Sequence, residues 1–153
     1  MIIEYTPEGG EAEVLDAGRM RASEVQIIER TADMKWSAIK RGLQSGDVTS
    51  VRTVGWALKK RTDPTLRLAD FDPFDDELQV FYDRREVENL ATEMFAELAD
   101  KPEQLAEAWD ELREAAYDKD ACETAIKEAQ APKDPAPAQE LTAVPTDGSS
   151  TAA

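Results

Sequence analysis

Apolar positions along this 153-residue chain change their spacing several times, and each change marks an element. Ile2–Tyr5 alternates weakly. After the turn signal Pro7-Glu8-Gly9-Gly10, Ala12–Leu15 is placed to pair back as a second strand, so a short hairpin is predicted. A lone two-stranded hairpin is marginal in water and needs helices to pack on. Ser23-Glu24-Val25-Gln26 fits a capping box that opens a helix, with Val25, Ile27 and Ile28 facing inward and an end near Thr31–Asp33. Trp36, Ile39 and Leu43 recur at helical spacing until Gly46 stops the run. Asp47 then caps a third helix carrying Val51, Val54 and Leu58 on one face, with Trp56 and Ala57 beside it. Its end, Lys59-Lys60-Arg61, places cations at the negative end of the helix dipole.

The pattern breaks at TDPTLRLADFDPF. Pro64 fixes its own φ and pushes Asp63 away from helix, so the third helix has to end there. Helical spacing resumes over Val80–Leu98 through Val87, Leu90, Met94, Phe95 and Leu98. A further helix is predicted to be capped at Asp100, with Pro102 in its first turn and an apolar stripe of Leu105, Ala108, Trp109, Leu112, Ala116 and Tyr117. Periodicity fades towards Ala129. From Ala131 the chain is rich in Pro, Ala, Ser and Thr without aromatics, a composition that cannot offset the entropy of ordering. The expected architecture is mainly α: a hairpin over 1–18, a helical domain over 19–130 and a disordered tail over 131–153.

Composition narrows the chemistry. Apolar residues make up 41% and charged residues 33%, which suffices for a modest core. No apolar run approaches the 18 residues of a membrane span, and MIIEYTPEGG has no basic n-region, so the cytosol is expected. Histidine is absent, which excludes Ser-His-Asp and Cys-His constellations; the lone Cys122 cannot form an internal disulfide and is expected as a small, half-buried side chain. The carboxylates Asp70, Asp72, Asp75, Asp76 and Glu77 invite a calcium-loop reading. Counted from Asp70, the template fails at Phe74, Asp75 and Phe81, and turn and cap roles fit better. No Gly-rich phosphate loop exists, and paired carboxylates lack a sugar-stacking partner. No catalytic residue, metal or cofactor is expected.

Charge is unevenly placed. Residues 1–61 hold ten Lys/Arg against nine Asp/Glu, whereas 62–153 hold eight against twenty-four, within a net charge of −15. Such acidity disfavours nucleic acid and suits a protein that stays dispersed or meets a basic partner. Trp36, Trp56 and Trp109 lie on predicted helices, where aromatics are usually core, although tryptophan is also enriched at interface hot spots. Leu66, Leu68, Phe71 and Phe74, interleaved with aspartates, admit two readings: a connector folded back over the helices, or an exposed apolar strip that accepts a segment of another protein. The residue pattern leaves both open. Trp36, Trp56, Leu66, Leu68, Phe71 and Phe74 are the candidate partner-binding set.

Certain residues in this order carry a resemblance. An acidic helix (Ala22–Thr31), Trp36, a helix ending in Trp56 with Lys60 and Arg61, and then Pro64, Leu66, Asp70 and Phe71 resemble small proteins of long-tailed actinobacterial phages and prophages, the tail assembly chaperones. The likeness covers roughly residues 12–75. It implies a non-enzymatic protein that binds the tape measure protein, keeps it soluble and helps tail tube subunits assemble around it. It further implies action in the host cytoplasm and absence from the finished virion. Tape measure protein is thus the expected partner and tail tube protein a second; a homo-oligomer is compatible with it. The rival readings are a structural or connector protein retained in the tail, and an acidic mimic of DNA.

Overall fold

The computed structural model describes residues 1–131, and the tail expected from Ala131 falls otherwise outside them. Six helices and three short strands follow in the order β1 (Ile2–Tyr5), β2 (Glu13–Asp16), α1 (Ala22–Ala32), α2 (Trp36–Ser45), α3 (Val48–Lys59), β3 (Leu78–Phe81), α4 (Arg84–Leu98), α5 (Pro102–Ala115) and α6 (Lys119–Gln130). The fold is mainly α, with the expected hairpin at its start. Among the described residues no helix is long and apolar enough to cross a membrane.

β1 and β2 pair antiparallel with Ile3 opposite Leu15. They are joined by a strand that the helical spacing of Val80–Leu98 had concealed. β3 pairs antiparallel with β1, Ile3 opposite Val80, giving the order β2-β1-β3. Val80 and Phe81 therefore belong to the sheet, and the helix begins only at Arg84. Its cap is a complete box: the Glu86 N–H donates to Asp83 and the Asp83 N–H donates to Glu86, each at 3.0 Å. The row Leu15–Ile3–Val80 faces the helices, and Ile3 is fully buried.

Three other boundaries differ from the periodicity. α1 starts one residue before Ser23, so Ser23 is not its cap; instead Glu24 reaches back to accept the Arg21 N–H at 2.7 Å. Of its three expected inward residues Ile28 is buried, Val25 is half-buried and Ile27 is exposed. α5 begins at Pro102 after Lys101, not after an Asp100 cap. Where periodicity faded, a separate α6 is capped by Asp118, which accepts the Ala121 N–H at 2.9 Å. Cys122 lies on that helix and is fully buried rather than half-buried.

Buried side chains form two clusters. One gathers Ile3, Ile28, Ile39, Leu43, Val54 and Phe71 with their neighbours around α3; the other joins α4, α5 and α6 through Val87, Ala91, Trp109, Leu112 and Ile126. Tyr82 packs against both. Its N–H donates to the Ala115 carbonyl at 2.8 Å and its carbonyl accepts the Tyr117 N–H at 3.1 Å, a one-residue parallel bridge. The Met1 ammonium adds ion pairs to Asp83 and Glu86. Within the first cluster α2 and α3 approach closely at Gly42, where an added Cβ would sit 2.1 Å from Ser50 Oγ. The turn between them uses Gly46 at φ 71°, a left-handed conformation that glycine adopts without a steric penalty.

Candidate partner-binding groove

The broken segment is a strap fastened to α3. Arg52, Trp56 and Lys60 stand four residues apart, so they project from one helix face. Each donates to the strap's backbone. Arg52 Nε and Nη2 reach the carbonyls of Phe71 (2.7 Å) and Leu68 (2.9 Å); Trp56 Nε1 and Lys60 Nζ share the carbonyl of Leu66 at 3.0 and 3.2 Å. A chain without regular ladders thus has its carbonyls satisfied by side chains. Lys60 also lies over the Trp56 ring, 5.2 Å from its centroid.

The strap's apolar residues have divided fates. Phe71 is 4% exposed, edge-on to Tyr5 at 5.4 Å between centroids. Leu66 and Leu68 pack half-buried against the same cluster, and Trp56 is 7% exposed. Phe71 and Trp56 are therefore core residues, a correction to their reading as contact residues: Trp56 lies under the strap with its indole N–H on the Leu66 carbonyl, and Phe71 packs edge-on to Tyr5 in the first cluster. Trp36 is half-buried at the start of α2, its backbone N–H donating to the Glu29 carboxylate at 2.7 Å. Trp36 and Phe74 do not share a concavity. Phe74 alone stands clear, at 66% exposed.

The basic triplet is more than a complement to the helix dipole. Lys59 meets Glu13 on β2 at 2.6 Å, Lys60 holds the strap, and Arg61 forks onto Glu24 of α1 at 2.7 and 2.8 Å. The Arg61 hydrogen bonds hold the Glu24 carboxyl below its ordinary range against the opposing effect of burial. The end of α3 therefore binds sheet, strap and α1 together.

Past the strap, Phe74 marks the rim of a groove of about 420 Å³. One wall is the α2–α3 corner, with Leu43, Gly46, Val48 and Val51. The other is β3, with Leu78, Val80 and Phe81, running to Tyr82 and Ala115; Pro73, Phe74 and Asp75 form the rim. Val48 is 57% exposed, so it and Phe74 offer apolar surface on either side. The groove's lining includes two cationic residues, both already engaged: the Met1 ammonium pairs with Asp83 and Glu86, and the Arg52 guanidinium is committed to two carbonyls and lies 3.6 Å from Asp72. Asp75 on the rim is exposed, as are its sequence neighbours Asp72 and Asp76, so the segment that forms the rim is negative. Asp75–Glu77 form a single 3₁₀ turn, in which the Glu77 carboxylate accepts the N–H of Phe74 at 2.9 Å, and Asp70 ends another. Among the described residues, no three carboxylate or thiol groups are placed to hold a metal ion.

Of the candidate set singled out in the sequence, Phe74 lines this groove; Val48, Val51, Leu78 and Val80 line it too and were not in that set. Val48 follows directly on the Asp47 cap, a first-turn position whose exposure depends on what packs beside it. Leu78 and Val80 required the strand pairing to be known. No protein-family model, curated protein or solved structure matches the chain.

Proposed function

We propose that the protein is a tail assembly chaperone of a long-tailed phage, which covers apolar segments of the tape measure protein before the tail tube encloses them. The observation that supports this reading is the groove: exposed apolar side chains at Val48 and Phe74, edged by carboxylates, on a chain of net charge −15. Apolar surface retained on a small domain marks an interaction site, and like charge keeps loaded complexes apart. The resemblance of residues 12–75 supplies the identity of the partner. On this reading the protein acts in the cytoplasm of the bacterial host without catalysis or cofactor, and is left out of the virion.

Co-expression with the cognate tape measure protein is the test. The expected result is transfer of the tape measure protein from the insoluble to the soluble fraction, and loss of that transfer with Val48→Asp. An unchanged insoluble fraction overturns the proposal. Mass spectrometry of purified virions separates it from a tail connector, because a chaperone is missing from the particle.

A further inference from the structure

β3 is an edge strand, and its backbone alternates in a known phase. The N–H of Thr6 donates to the carbonyl of Glu77 at 2.8 Å, so Glu77, Gln79 and Phe81 turn their hydrogen-bonding groups towards β1. Leu78, Val80 and Tyr82 turn theirs outward. Tyr82 finds Ala115 and Tyr117. Among the described residues Leu78 and Val80 have no neighbouring strand, and both line the groove. β2, the other edge, contributes nothing to this concavity. An open ladder therefore runs along the groove's β3 wall, and its far end is closed by the bridge at Tyr82.

We propose that this groove takes an extended segment of another protein as a fourth strand, a segment whose side chains alternate between apolar and basic. The inference rests on the reading above and deepens it by specifying the bound form and chemistry. A helix has its own backbone groups paired and leaves those of Leu78 and Val80 unmet; an extended chain pairs them. At about 3.4 Å per residue the open stretch matches four or five residues. Alternate side chains of such a segment meet the apolar lining at Val48, Val51 and Phe74, and the remainder meet the rim at Asp75, next to the exposed Asp76, which calls for Lys or Arg. A second copy would bring two acidic rims together. Residues 132–153 carry one lysine against three carboxylates and four prolines, a poor match to a negative rim and to a ladder that needs N–H donors.

The test uses the full chain and a fluorescent, acetylated peptide of three lysine–valine repeats, followed by anisotropy at physiological salt. Two further peptides carry N-methyl groups on the valine amides or on the lysine amides. Alternate amides of a strand point to opposite edges, so one of these two should lose at least tenfold in affinity and the other should hold. Equal loss, no loss in either, or no binding of the parent peptide overturns the proposal. Val80→Pro removes an outward N–H at an edge position that tolerates proline, and should cost tenfold or more. Phe74→Ala, at an exposed site, should cost severalfold with unchanged circular dichroism, so the proposal stays testable even if the proline variant fails to fold. Amide exchange without peptide checks for other occupants. Protection of Leu78 and Val80 that grows with protein concentration assigns the edge to a second copy, and protection independent of concentration assigns it to the chain's own tail; either overturns the proposal. Peptide binding without rescue of the tape measure protein removes the functional reading and leaves this one. Rescue without peptide binding does the reverse.

Discussion

Replacing Arg52 by methionine keeps most of the side-chain volume and removes both ties to the strap. Arg52 donates to the Phe71 and Leu68 carbonyls at 2.7 and 2.9 Å, and its side chain is 32% exposed. Hydrogen bonds from a charged donor contribute about 1.5–3 kcal/mol each when buried. Two would give roughly 3–6 kcal/mol, but partial exposure lets water take over some of the lost bonding, so about 2 kcal/mol is expected. For a domain of this size that lowers Tm by roughly 8 °C. Thermal melts followed by tryptophan fluorescence are suitable, because Trp56 is hydrogen-bonded to the same strap. Arg52→Lys supplies one ammonium in place of a fork and should fall between the two. A Tm within 2 °C of wild type for the methionine variant, or a lysine variant indistinguishable from wild type, would refute the two-carbonyl account.

Further outcomes follow from burial and charge. Phe71→Ala should lose about 3–5 kcal/mol in urea unfolding, whereas Phe74→Ala should stay within about 0.5 kcal/mol; comparable losses would mean that both rings are packed. Glu24 has a depressed folded pKa, so its pairing with Arg61 stabilises above the ordinary glutamate value of about 4.3 and is lost as pH falls through the lower folded value. The stability gap between wild type and Glu24→Gln should accordingly be largest near pH 7 and close at acid pH; a gap that widens on acidification contradicts the assignment. Burial raises the Cys122 thiol pKa. An aromatic disulfide reagent should leave it untouched in the native protein and react fully in denaturant, and fast native labelling would show that α6 does not pack as described.

Local signals located α2 and α3 closely, because Trp36, Ile39 and Leu43, and then Val51, Val54 and Leu58, repeat on either side of a glycine stop and an aspartate cap. β3 escaped for a physical reason. Val80 lies in helical phase with Val87, and only pairing with β1, more than seventy residues earlier, makes its segment a strand. The reciprocal Asp83–Glu86 cap was nevertheless present in the residues and marks the true start of α4. α6 was faint because alanine, not leucine, forms much of its buried face, at Ala125 beside Ile126 and Cys122. The strap could have been read from the donors at 52, 56 and 60, whose spacing aims all three at one line. Which of its apolar residues point inward could not be read there, since that depends on the carbonyls those donors capture.

The bridge at Tyr82 has a consequence for partial melting. The bridge, the Met1 ion pairs to Asp83 and Glu86 and the edge contact of Phe81 with Tyr117 make a narrow coupling between two packed clusters. The three C-terminal helices are therefore expected to fray under heat or acid before the sheet comes apart. Apart from Ala115, the groove's principal walls belong to the other body, built on α2, α3 and β3. A chain that has lost order in its C-terminal helices would keep most of the groove's walls in place.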